Sequence, residues 1–78
     1  MKRNEIVTGG LYRGKWKVDL PRLVYSVECN INGRKYVEWA YAEEGGDHNT
    51  CWIETFAKLA TQRLDPQTWE VMTNEDAA

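Results

Sequence analysis

The 78-residue sequence predicts a mainly β fold with one short helix, arranged as a small, partly open barrel. Three observations carry that expectation. Two β-branched and aromatic runs, 23–29 and 35–41, flank the turn sequence Asn30-Ile31-Asn32-Gly33-Arg34. Gly9-Gly10 divides another pair of strand-like segments near the start. A single apolar stripe at helical spacing lies late in the chain, at Ile53, Phe56, Ala57, Ala60 and Leu64, where residues three and four apart share one helix face.

In chain order, Glu5-Ile6-Val7-Thr8 and Leu11-Tyr12-Arg13 read as a strand bent sharply at the glycines, since glycine inside a strand pattern marks a bend or a close backbone approach. Trp16-Lys17-Val18 reads as another short strand, broken by Asp19, Leu20 and Pro21. The central hairpin spans 23–30 and 34–41. A two-residue Asn32-Gly33 turn would set Val27 opposite Glu38 and mix apolar with polar positions, because directly opposed residues share a face. A three-residue loop of Ile31, Asn32 and Gly33, with Asn30 at the first turn position and Gly33 left-handed, removes that conflict. It pairs Val27 with Val37, Tyr25 with Trp39 and Leu23 with Tyr41, and leaves Ser26, Glu28, Tyr36 and Glu38 on a wet face. Downstream, 44–50 is a polar, turn-rich loop. Asn49 or Thr50 is expected to cap the helix and Asp65-Pro66 to end it. Thr68-Trp69-Glu70-Val71-Met72 suits a closing strand better than a second short helix capped by Asp65, because a small open sheet gains from a covered edge. The sum is one SH3-like barrel domain over 1–72, with 73–78 as a flexible tail.

Composition excludes more than it identifies. Hydrophobic residues make up 42% of the chain and charged residues 28%; no apolar run reaches the ~20 residues of a spanning helix. Met1-Lys2-Arg3-Asn4-Glu5 has no apolar signal core, so a cytoplasmic location is expected and no membrane partner. Cys29 and Cys51 lack a Cys-x-x-Cys spacing and are too few for a disulfide scaffold. The net charge of -2 conceals a split: residues 1–35 hold eight of the ten Lys and Arg with three acids, and residues 36–78 hold nine acids with two bases.

The sequence resembles a loose group of small phage- and prophage-encoded SH3-like barrel proteins of unassigned activity. The resemblance lies in Gly9-Gly10-Leu11-Tyr12-Arg13 and in Cys51-Trp52-Ile53-Glu54-Thr55-Phe56-Ala57-Lys58-Leu59-Ala60, a cysteine followed by a Phe-Ala-x-x-Ala helix. Residues 65–72 depart from that pattern. The resemblance implies a phage-related, non-enzymatic module in a bacterial host cell, and it carries over no catalytic residue.

Catalytic and metal readings are weak on the residues themselves. His48 is the sole histidine, and Asp47, His48 and Cys51 fall short of the four repeated ligands of a structural zinc site. No third group orients a Cys51–His48 pair. Glu43 and Glu44 beside Gly45-Gly46 read as an exposed turn. No catalytic residue, metal or cofactor is expected. The expected function is protein–protein recognition by a host or phage partner. Arg13, Lys15, Trp16, Lys17, Arg22, Arg34, Lys35 and Tyr36 are the candidate binding residues, and Trp52 and Trp69 are further anchors where exposed, because hot spots favour Trp, Tyr and Arg. The alternative is weak nucleic-acid binding by the same basic residues through a groove with stacking aromatics, against which stands a pI of about 5.3. The charge split also permits head-to-tail self-association.

Overall fold

The computed structural model describes residues 1–72, so the expected tail at 73–78 lies outside the described residues. A 3-10 turn, Arg3–Glu5, leads into β1 (Leu11–Gly14), β2 (Arg22–Cys29), β3 (Lys35–Tyr41) and β4 (Asn49–Trp52). Helix α1 (Ile53–Leu59) and β5 (Ala60–Leu64) follow. All pairings are antiparallel in one sheet ordered β4-β3-β2-β1-β5. The fold is therefore mainly β with one short helix, and the sheet is open between β4 and β5.

The hairpin loop matches its expected chemistry. Gly33 adopts φ 80°, Gly33 N–H donates to the Asn30 carbonyl at 2.9 Å, and Asn30 N–H to that of Arg34 at 2.9 Å. The Asn30 side-chain oxygen also accepts from Asn32 N–H and Arg34 N–H. Val27 pairs with Val37 as expected, but only the tip half of the register holds. A bulge at Tyr25 shifts the remainder by one residue, pairing Val24 with Trp39, Leu23 with Ala40 and Arg22 with Tyr41. The bulge puts Val24 into the core in place of Tyr25, which is 45% exposed.

Five other expectations are corrected. Residues 5–8 form no strand: Lys2 N–H bonds the Glu5 carboxylate at 2.8 Å, and the Tyr12 hydroxyl takes the backbone groups a strand would have used. It accepts from Val7 N–H at 2.9 Å and donates to the Glu5 carbonyl at 2.7 Å. Residues 16–18 are a bend, not a strand, because Trp16 turns inward and its Nε1 bonds the Leu20 carbonyl at 2.8 Å. The helix stops at Leu59, and Ala60–Leu64 pairs with β1. A separation of four puts Ala60 and Leu64 on one face of either a helix or a strand, so the stripe could not distinguish them. Asn49 and Thr50 lie in β4, and the helix starts after Trp52 with no side-chain cap. Finally, 68–72 is neither strand nor helix. Asp65 accepts from Gln67 and Thr68 N–H, Trp69 adopts φ 61°, and the chain returns to make one bridge, Leu64 to Val71.

The core is aromatic. Tyr12 and Phe56 are fully buried and meet edge to face at 5.6 Å, with Trp16 and Trp39 against the other sides of Phe56. Ile6, Val24, Val37, Ile53, Ala57 and Ala60 complete it. Gly14 is the one close backbone approach in β1, where a Cβ would meet the Leu59 carbonyl and the Trp16 ring.

Replacing Tyr12 by Phe strands the Val7 N–H and is expected to cost about 1–2 kcal/mol, measured as a lower denaturant midpoint. Burial raises the Tyr12 phenol above its ordinary 10.0, opposed mainly by the Val7 N–H. The folded state thus keeps this proton to higher pH than the unfolded chain. Stability is full below pH about 10 and falls above it, and Tyr12→Phe should flatten that alkaline decline.

Candidate binding surface

The candidate residues divide between two places. Arg13, Lys15, Trp16, Lys17 and Arg22 belong to β1, the β1–β2 loop and the start of β2. Arg34, Lys35 and Tyr36 lie at the opposite end of the hairpin.

The first group does not form a basic face. Arg13 pairs with the exposed Asp19 at 3.5 Å. The loop carrying Lys15 and Lys17 is tied to the acidic β3–β4 loop by Ala42 N–H donating to the Pro21 carbonyl at 2.9 Å. Lys15 and Lys17 are exposed in the β1–β2 loop.

Arg22 is enclosed. Its guanidinium carbon lies 3.7 Å from the Trp39 ring centroid, 4.3 Å from Trp16 and 5.3 Å from Tyr41, and it donates to the Tyr41 hydroxyl at 3.1 Å. Its buried Nε has no polar partner. A partly buried cation over several rings is worth about 1–2 kcal/mol, so this arginine helps to hold the end of the sheet together. Trp16 is likewise a packing residue. The neighbouring Cys51 thiol is pushed up in pKa by burial, opposed by the Trp39 N–H and the Arg22 charge. Both cysteines are free.

The second group gains partners from distant sequence. Lys2, Arg3 and Asn4 from the N-terminal turn meet Gly33, Arg34 and Lys35 from the hairpin tip, with Ile53 and Glu54 from α1 between them, around a cleft of about 540 Å³. Among the described residues Glu54 is the only carboxylate lining it; it lies 3.5 Å from Arg3 and 4.0 Å from Arg34. Four cations against one acid leave a net positive surface. Arg34 stacks over Trp52 at 3.8 Å, a geometry that covers its face and leaves its N–H edge, with Nε towards Glu54, turned to carboxylates. Behind Trp52, Asn30, Tyr36, Thr50, Cys51 and Thr55 line a second hollow of about 470 Å³. Tyr36 lies opposite Trp52 in the ladder, and its hydroxyl donates to Glu28 at 3.1 Å, which raises its pKa.

Sequence reasoning missed Lys2, Arg3 and Glu54 because only the tertiary fold brings them to the hairpin tip. Trp69 is also exposed, at 40%, but far along the chain in the turn after β5. His48 is part of a small cluster on the wet face, with Nδ1 2.7 Å from Glu38 and its ring stacked on Tyr25 at 4.2 Å. Among the described residues no group of three or more His, Cys, Asp or Glu side chains could hold a metal ion, and no helix is long and apolar enough to cross a membrane. No protein-family model, curated protein or solved structure matches the chain.

If Arg22 is structural, Arg22→Lys should lower stability by about 1–2 kcal/mol although it keeps the charge, because the ammonium lacks the planar stacking face. Denaturant unfolding followed by tryptophan fluorescence reads this directly.

Proposed function

We propose that the protein is a non-enzymatic binding module whose basic cleft receives an acidic segment of a protein partner. The observation that carries the reading is the convergence of Lys2, Arg3, Arg34 and Lys35 on a cleft with one carboxylate, beside the exposed Trp52. A rim of cations around an exposed aromatic suits recognition of a complementary partner, where charge steers encounter and the ring supplies buried area. The phage or prophage origin, and with it the cytoplasm of a bacterial host, rests on the resemblance of residues 9–13 and 51–60.

A second reading is favoured by one feature. Trp52 and Tyr36 adjoin across the ladder next to Arg34, and stacked aromatics beside cations also suit single-stranded nucleic acid. Arg13, Lys15 and Lys17 lie at the other end of the hairpin, where Arg13 pairs with Asp19.

A decaglutamate peptide should bind at low salt, and the double substitution Arg34→Ser, Lys35→Ser should weaken it about tenfold by removing two charged hydrogen-bonding partners. The control Lys15→Ser, Lys17→Ser should change it little. Preferential binding of a thymidine oligonucleotide, falling steeply as salt rises, would replace the protein reading with the nucleic-acid one.

A further inference from the structure

The two edges of the sheet are treated differently. Along β5, the returning chain covers one end: Val71 bridges Leu64 and Met72 N–H donates to the Arg63 carbonyl at 2.7 Å. Along β4, nothing of the kind occurs. The strand Asn49-Thr50-Cys51-Trp52 contains no proline, no charged residue and no bulge, the devices by which natural edges avoid pairing with other chains.

The direction of its free backbone groups follows from the hairpin. Asn30 N–H bonds the Arg34 carbonyl, so the backbone of Arg34 faces β2. By alternation Tyr36 and Glu38 also face β2, while Val37 and Trp39 face β4. The hydrogen-bonded pairs of β3 and β4 are therefore Val37 with Cys51 and Trp39 with Asn49, taken from the observed register. The N–H and C=O of Thr50 and the N–H of Trp52 point away from the sheet. No turn, loop or cap bond takes them up.

We propose that this edge accepts an extended acidic segment of the protein partner as an additional antiparallel or parallel strand, with its acidic side chains reaching the cations at the Trp52 end. The inference rests on the cleft reading above and adds the mode of binding. Charge selects the occupant: the edge runs into the Arg34–Trp52 stack and the cleft of Lys2, Arg3 and Lys35. The hollow beside it, lined by Tyr36, Thr50 and Thr55, takes alternate side chains of the added strand. Main-chain bonds then supply affinity and the cations supply selection.

Thr50→Pro tests this directly. Proline there removes an outward N–H while leaving the β3–β4 ladder intact, as edge positions allow. The probe is a ten-residue peptide of alternating Glu and Thr, beside the same peptide N-methylated at alternate residues. Thr50→Pro should melt close to the parent protein yet bind the probe about tenfold more weakly, the loss expected for one or two main-chain bonds. The N-methylated peptide should lose binding to the unsubstituted protein to a similar extent, a comparison that holds even if Thr50→Pro fails to fold. Probe binding that ignores both changes but still falls with Arg34→Ser, Lys35→Ser would overturn the added strand and keep the cleft. No probe binding at low salt would overturn both. A dimer in sedimentation that Thr50→Pro converts to monomer would assign the edge to a second copy instead.

Discussion

The buried hydroxyl of Tyr12 is the constraint on which the other arrangements depend. A phenol with no exposed surface must find partners for its O–H, and this one finds both in the N-terminal segment, the Val7 N–H and the Glu5 carbonyl. The same ring packs edge to face on Phe56 from α1. One side chain thus fixes the path of residues 1–7 and the seat of the helix. The Met1 ammonium adds to this by donating to the Ala57 and Ala60 carbonyls at the end of α1. Lys2 and Arg3 come to the cleft because Tyr12 holds the turn that carries them. Glu54 comes to it because Phe56 holds the helix.

Charge is arranged in three ways in this small molecule. At the β1–β2 end, Arg13 pairs with the exposed Asp19. At Arg22 the charge is withdrawn into an aromatic enclosure, where it packs and orients rings. At the hairpin tip Lys2, Arg3, Arg34 and Lys35 gather around a cleft, with Glu54 as the partial counterweight. The net charge of -2 therefore says nothing of the cations gathered at this cleft.

The legible parts of the sequence were those governed by local chemistry. Asn30 and Gly33 specify their turn, and alternation over Val27, Tyr36, Val37 and Glu38 specifies the register next to it. Beyond Val24 the same logic failed, because an extra residue at Tyr25 satisfies burial in a way alternation cannot encode. The helix end was illegible for a different reason: Ala60 and Leu64 suit both periodicities, and the need of β1 for a second partner decided between them. Of the cleft, Arg34, Lys35 and Tyr36 were readable as a charged, aromatic tip. Lys2 and Arg3 looked like a polar start, since their role is created by a contact of Tyr12 that no spacing announces.

The pairing of β1 with β5 also shapes how the chain reaches its fold. Leu11 meets Leu64, and Gly14 meets Ala60, across more than half of the sequence, whereas Cys29 meets Lys35 across a single turn. Closing a long loop costs more chain entropy than closing a short one and is repaid only after the contacts form. The β2–β3 turn is therefore the less costly contact to close and the β1–β5 ladder the more costly. The helix is the element that makes this long-range pairing possible: seven residues that turn the end of a meander back towards its beginning, so that the last strand lies beside the first.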